Sequence, residues 1–492
     1  MLPEFDRSNC LRAALTNGCL LITLATTAVA QCVEPGCVVL RTFTMPAGVF
    51  GWAISEAGDV NGDGLQDLLA GAPYATNGGT NSGRAFVIST TGAPTTVLHT
   101  FTGQANDHLG WSIADAGMVG AVAVHAIAAG APSTGTSGLP GRVQVFNATT
   151  GALVRTLTGA AANDQFGYAV GLVGDTNADG RDDLIVGAPG NDVSGANAGR
   201  AYLYSGMDGS LLRTFFGAPA GSRFGSGVDG VGDVNGDGVP DVAVTAPSAP
   251  GSNGPGRLYV FSGADGGVLW TADAAAGSFA FGEFFVAGVG DVNHDLGPDV
   301  YVGDYGHGGG AGRAYVFCGR NGSLLHQFPG LPGEGLGPGR FAGDVNGDGF
   351  ADLAIGAYTS GDGAPNAGRT YIRSGRDGSI LRTITSNLAN EQNGFDAFGI
   401  GDINADGRLD FAVSAANANR VYVFAGTITP LSPADLNDDG VVNVADLLAV
   451  IGAWGPCIAP PAQCVTYTCW ADIVPTGTVN VQDLLMVIGN WG

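Results

Sequence analysis

Asp233-Val-Asn-Gly-Asp-Gly-Val-Pro-Asp241 sets an oxygen-bearing side chain at positions 1, 3, 5 and 9 of nine residues: Asp233, Asn235, Asp237 and Asp241. Gly238 at position 6 permits a sharp turn, and the carbonyl of Val239 at position 7 can point inward. A ring of hard oxygens of this kind is the donor set of a Ca²⁺ ion. The pattern occurs five more times. Its side-chain oxygens and position-7 carbonyls are Asp59, Asn61, Asp63, Leu65 and Asp67, then Asp175, Asn177, Asp179, Arg181 and Asp183. Next come Asp291, Asn293, Asp295, Gly297 and Asp299, then Asp344, Asn346, Asp348, Phe350 and Asp352, and last Asp402, Asn404, Asp406, Arg408 and Asp410. In the 291–299 copy Leu296 holds the turn position, where a positive φ costs about 1 kcal/mol. Gly297 is expected to relieve that cost by shifting the turn.

The first aspartates of the six loops, 59, 175, 233, 291, 344 and 402, recur about every 58 residues with one loop missing after the first. The gap holds a copy that keeps the frame, with Met118, Gly120, Val122 and Ala126 on the ligand positions, so it binds no divalent ion. A seven-member period of this length signals a propeller or array. Each unit contains four strand-like pieces. An aromatic or aliphatic residue and glycine (Phe50-Gly51, Leu109-Gly110, Phe166-Gly167, Phe224-Gly225, Phe281-Gly282) precede the acidic loop. An apolar run then ends in Gly-Ala-Pro (Gly71 to Pro73, Gly130 to Pro132, Gly187 to Pro189). A Gly-Arg or Asn-Arg pair opens the third piece at Arg84, Arg142, Arg200, Arg257, Arg313, Arg369 and Arg420, and a strand such as Leu212-Arg213-Thr214-Phe215 closes the unit. Four strands in each of seven units predict an all-β, seven-bladed propeller. The last unit stops at Ala425 without its fourth strand, while Val38 to Phe43 supplies a spare one before the first unit. The N-terminal strand is therefore expected to complete the last blade and close the ring.

These residues resemble the FG-GAP repeats of integrin α-subunit propellers over about residues 38–427. The resemblance implies calcium in loops between the first and second strands, with ligands met on the opposite face. The sixth and seventh Phe-Gly positions are not assigned by the motif, and Gly303-Asp304-Tyr305, Gly356-Ala357-Tyr358 and Ser414-Ala415-Ala416 depart from Gly-Ala-Pro.

After the linker 428–434, Asp435, Asn437, Asp439, Val441, Asn443 and Asp446 form an EF-hand-like loop that leads into an apolar helix, Leu447 to Trp454. A second copy keeps Asp472, Asn480 and Asp483 but places Val474 and Thr476 on ligand positions, so it binds calcium weakly or not at all. Residues 435–492 resemble a type I dockerin, which implies a cohesin-like partner. About six calcium ions are expected in the propeller and one or two in this module.

Composition bounds the partners. The chain has 492 residues, with 84 glycines, 44 acids and 20 basic residues, all arginine, and a formal charge of −24, which argues against nucleic acid and anionic membranes. Arg7 and Arg12 precede an apolar run, Leu20 to Ala30, that closes on Ala28-Val-Ala30. This reads as a signal peptide over 1–30, too short for a membrane span, leaving a propeller over 31–427 in a secreted or surface-attached protein. Export permits disulfides. Cys32 and Cys37 are the simplest pair, two of Cys457, Cys464 and Cys469 can join, and Cys318 is left as a buried free thiol.

The six histidines are scattered and form no recognisable catalytic motif. Trp52, Trp111 and Tyr168, after the Phe-Gly positions, read as packing between blades, with a sugar platform near the axis as the other reading. Tyr74, Tyr305 and Tyr358 are placed nearer a ligand face. The repeated arginines read as architectural, satisfying backbone carbonyls or neighbouring acids. The expected role is a non-catalytic adhesion or recognition module for an extracellular protein or glycan. A polysaccharide-active enzyme and a structural surface component are the alternatives.

Overall fold

The computed structural model describes residues 32–490 except 35, 47, 93, 134–137, 218–219, 248–254, 429–433, 435–441 and 457–477. The expected signal peptide, most of the linker, and ligands Asp435 to Val441 and Asp472 to Thr476 therefore lie outside the described residues.

Seven four-stranded antiparallel sheets form the propeller. Blade 1 runs Ile54–Glu56, Leu68–Ala72, Arg84–Ile88 and Val97–Thr102, paired in that order from the axis outward. Blades 2 to 6 begin at Ser112–Val119, Val170–Gly174, Gly227–Gly232, Val286–Gly288 and Leu336–Gly343. Blade 7 comprises Asn393–Gly401, Asp410–Ala415 and Arg420–Phe424, and its outer strand is Val39–Thr44 from the N-terminus, with Phe43 opposite Val421. The ring closes as the spare strand predicts.

The core lies between blades. Leu68, Ala70 and Phe86 of blade 1 pack against Phe398, Ile400 and Val421 of blade 7. Second strands face neighbouring blades on both sides, which is why Asp183–Ala188 and its equivalents are buried throughout and read as continuous apolar runs. Outer strands alternate instead, as in Leu153–Thr158, where Leu157 is the buried residue.

Two contacts repeat around the ring. In the first, the Gly-Ala-Pro glycine of one blade meets the Phe-Gly glycine of the next. A Cβ on Gly71 would stand 2.1 Å from the Gly110 carbonyl oxygen, and one on Gly187 would stand 2.0 Å from that of Gly225. Where a hydroxyl residue replaces the glycine, it bonds the same carbonyl: Thr245 Oγ1 donates to Gly282 O at 2.7 Å, and Ser414 Oγ donates to Gly51 O. This register assigns the two missing Phe-Gly positions to Leu336-Gly337 and Asn393-Gly394, since Gly303 meets Gly337 and Gly356 meets Gly394. The second contact is a clasp from each outer strand to the following blade. Arg155 donates to Ser205 O and Met207 O, Arg213 to Gly263 O and Trp270 Nε1 to Gly319 O, and Arg41 closes the circuit on Thr90 O. His99, His326 and Arg382 hold the equivalent contacts in the other blades.

The blade without acidic ligands replaces its loop with a short hairpin between Val119 and Val124. Arg181 Nε from the next blade donates to Gly120 O at 2.7 Å, and Asp182 accepts from Met118 N at 2.6 Å. Side chains of the next blade thus brace the hairpin.

Beyond the propeller are two nine-residue helices, Val444–Gly452 and Val481–Gly489, packed through Val450 and Val487. The first begins three residues before the expected Leu447. Asn443 and Asp446 form a capping box that fixes its start, and Asn480 and Asp483 do the same for the second.

Cys32 and Cys37 are disulfide-bonded with Cα atoms 6.2 Å apart. Cys318 is also disulfide-bonded, which corrects its reading as a free thiol; its partner lies outside the described residues.

Candidate functional site

The six acidic loops share one backbone-bonding scheme, set by the innermost strand that enters each loop and the second strand that leaves it. The first aspartate accepts from the backbone amides of positions 5 and 6: Asp59 from Asp63 N (3.0 Å) and Gly64 N (2.8 Å), Asp233 from Asp237 N (3.0 Å) and Gly238 N (2.8 Å). Asp175, Asp291, Asp344 and Asp402 do likewise. The asparagine at position 3 accepts from the amide of position 5, whose carboxylate accepts in turn from the amide of position 7. The ninth residue anchors the loop to its blade. Asp241 accepts from Val234 N and Gly263 N, both at 3.0 Å. The scheme gathers the carboxylates of positions 1, 5 and 9 of each loop.

Burial is the main cause of the resulting pKa shifts, followed by the neighbouring carboxylates. It pushes Asp67 and Asp241 up to about 6, Asp352 to about 7 and Asp299 to about 8, and it raises Asp183, Asp291, Asp344 and Asp410. A buried carboxylate at position 9, raised by burial and set beside the carboxylates of positions 1 and 5, fits a divalent cation.

Blade 5 keeps these bonds with different residues. Leu296 takes φ 68° and donates its amide to Asp291 at 2.8 Å, while Gly297 keeps an ordinary φ, so the expected shift of the turn to Gly297 does not occur. His294 is also left-handed, at φ 58°. Arg320 Nε lies 3.2 Å from Asp295 Oδ1 and partly supplies the positive charge a metal would bring. Cys318 Sγ is 3.4 Å from Asp295, but a disulfide sulfur is no thiolate ligand. In the C-terminal module Asp446 is buried and its carboxylate accepts from Asn443 N at 2.8 Å, so positions 9 and 12 of that loop act as a helix cap.

At the opposite end of the innermost strands the aromatics converge. Trp52 packs on Trp111 (centroids 4.9 Å) and Phe395 (5.1 Å), and Trp111 packs on Tyr168 (5.6 Å). Tyr168 stacks on Phe284 at 4.8 Å, which spans from blade 3 to blade 5. They pack on one another from blade to blade and close the axis. Tyr74 joins at Trp52 (6.0 Å), and Tyr358 joins Phe395 (5.5 Å) and Tyr305 (6.2 Å), so the two groups the sequence treated separately are one cluster. Phe284 was missed because blade 5 has one extra residue between Phe281 and Asp291, compared with Phe50 to Asp59. That residue displaces Phe284 into φ 72°.

Glu283 sits within this cluster and accepts from Arg223 Nη1 (2.7 Å), Tyr168 OH (3.0 Å) and Tyr305 OH (3.2 Å). Burial holds both phenols well above their ordinary value, so they stay protonated donors. Trp111 Nε1 is buried without a hydrogen-bond partner. Below the cluster is an axial cavity of about 420 Å³ whose lining includes Glu56, Asp115, Asp229 and Arg340. Arg340 Nη2 lies 2.9 Å from Asp396, and burial raises the Asp229 carboxyl to about 7. Four of the seven repeated arginines pair with acids, Arg142 with Asp107, Arg257 with Asp273, Arg369 with Asp362 and Arg420 with Glu391. Arg84 and Arg200 lie over Phe86 and Phe216.

The FG-GAP repeat family matches residues 50–88, 166–204, 224–261 and 341–372, which fall in blades 1, 3, 4 and 6. Integrin alpha-8 of Gallus gallus is 31% identical over 198 residues, 37% of this chain and 18% of that protein. Integrin alpha-IIb of Homo sapiens is 37% identical over 168 residues, 30% of this chain and 16% of that protein. The chain thus carries FG-GAP repeats and has integrin alpha homologues, and it spans less than a fifth of the length of those relatives. Saccharomyces cerevisiae Sqt1 superposes with a TM-score of 0.46 at 11% identity, covering 80% of this chain and 99% of that one. Among the described residues no helix is long and apolar enough to cross a membrane.

Proposed function

We propose that this chain is a non-catalytic adhesion or recognition module that binds an extracellular protein or glycan on its aromatic face, with calcium stiffening the opposite face. The observation that carries the reading is the aromatic cluster over the axis. It offers ring faces, an unpartnered indole N–H at Trp111 and a charged network at Glu283 whose hydrogen bonds are already satisfied. Aromatic platforms with a few fixed polar groups suit binding.

Six ions would sit in the propeller loops, held by the aspartates, asparagines and position-7 carbonyls. Calcium there supplies positive charge to cancel clustered carboxylates. Export fits the Cys32–Cys37 disulfide, a bond stable in oxidising compartments. The C-terminal module would bind one or two further ions and dock to a cohesin-like partner. Its two helices expose equivalent apolar residues, Val444, Leu448 and Ile451 on one and Val481, Leu485 and Ile488 on the other.

The test is to present the calcium-loaded full chain to glycan arrays and extracellular proteins, with turnover assays alongside, with and without chelator. Binding without bond cleavage is expected, and Trp52→Ala is expected to weaken it. Cleavage of any ligand would overturn the reading in favour of an enzyme. Absence of all binding would leave a structural role.

A further inference from the structure

At the position that follows the Gly-Ala-Pro glycine, six blades place a buried alanine: Ala72, Ala131, Ala188, Ala246, Ala357 and Ala415. Blade 5 places Asp304 there, fully buried, with neither carboxylate oxygen in a hydrogen bond. A charge so weakly compensated is unfavourable in that environment. No arginine of the described residues comes within ion-pair distance of it. The group that faces it is His307, whose Nδ1 also lacks a hydrogen bond and stands 3.7 Å from Asp304 Oδ2, with its side chain 12% exposed. The Ser278 hydroxyl and the Ala280 amide turn toward the same carboxylate without reaching full hydrogen-bond geometry, and Arg313 adds a more distant positive charge. Arg313 Nε and Tyr315 OH nearby lack partners too, but so do Arg84 Nε, Arg200 Nε and Tyr202 OH in other blades. Those orphans belong to the repeat, whereas Asp304, His307 and Ser278 are peculiar to blade 5.

We propose that Asp304 and His307 hold a divalent transition-metal ion of zinc-like preference, with Ser278 or water completing its shell. Bonds of about 2.0–2.2 Å to a carboxylate oxygen and about 2.0–2.1 Å to an imidazole nitrogen together exceed the 3.7 Å gap, so one ion bridges both at a bent angle. A mixed nitrogen and oxygen set selects zinc or a neighbouring metal over calcium, which takes oxygen alone. The site therefore differs in chemistry from the six acidic loops and lies at the opposite end of its strand. Tyr305, the residue after Asp304, bonds Glu283 in the aromatic cluster, so the ion would fix one edge of that face.

The test is a calorimetric titration of the full chain with Zn²⁺ in saturating calcium, together with Co²⁺ absorption spectra and thermal melts. One Zn²⁺ bound at this position and a Zn²⁺-dependent rise in Tm are expected. Asp304→Ala should abolish both while melting no lower than the parent without zinc, since alanine is the residue of the other blades. His307→Ala should weaken binding at least about tenfold, the loss seen even for outer-shell changes at metal sites, and should remove the nitrogen-ligand signature from the cobalt spectrum. The proposal is overturned if zinc leaves the melt unchanged, or if both variants bind Zn²⁺ as the parent does. It is also overturned if the unliganded pair proves to be a protonated Asp304 beside a neutral His307 that takes up no metal.

Discussion

At the scale of single residues, strain and charge sit where the candidate sites are. Leu296 and His294 give the blade 5 loop two left-handed residues with side chains, where blade 4 uses Gly236 and Gly238. Leu296→Gly is expected to stabilise the chain by about 1 kcal/mol, read as a higher denaturant midpoint at constant slope. A lower midpoint would show that the exposed leucine side chain makes a contact of its own. The buried aspartates set a pH signature. Raised native values mean that the folded state holds more protons than the unfolded one between pH about 4, the ordinary carboxyl range, and the pH of about 6 to 8 where Asp67, Asp241, Asp352, Asp299 and Asp229 titrate. Stability without metal therefore falls as pH rises through that window. Metal-free protein should lose Tm from pH 5 to 8, and calcium should cancel most of the slope. Parallel curves with and without calcium would count against ions in the loops.

At the scale of elements, the repeat is legible because its chemistry is local. The acidic loops, the Gly-Arg pairs and the Gly-Ala-Pro ends each fall within a few residues. What joins one blade to the next is not local and went unread. Leu336 and Asn393 occupy the Phe-Gly position without resembling it, and only contacts across the chain identify them, with Gly312 and Gly368 and through Gly303 and Gly356. The clasps were equally hidden, because Arg, His and Trp serve the same donor role and their acceptors are backbone carbonyls about fifty residues away. Phe284 depends on a one-residue insertion, and Asp304 could be seen only as a departure from the motif. Two substitutions test these joints. Gly71→Ala puts a carbon against the Gly110 carbonyl and should cost about 1–3 kcal/mol. Arg155→Ala removes two donors to the next blade and should cost about 1 kcal/mol. Chemical denaturation measures both. A neutral Gly71→Ala would mean that the neighbouring blades slide apart at little cost.

For the whole molecule, the ring is as strong as its one non-consecutive joint. Removing Val39–Thr44 strips blade 7 of its outer strand and removes Phe43 from the packing between blades 7 and 1, and also the Arg41 clasp to blade 1. The deleted chain should lose its single cooperative melt, and an unchanged transition would show that six complete blades hold the seventh. That joint also imposes an order in time. Val39–Thr44 is made some hundreds of residues before its partner, Arg420–Phe424. Until that partner is made, Val39–Thr44 is a free edge, and so is the third strand of blade 7 that awaits it. A chain crossing a membrane unfolded and assembling afterwards would have both ends at hand together. At high concentration each free strand can instead find its complement in a second copy, and the same hydrogen bonds that close one ring would then link two.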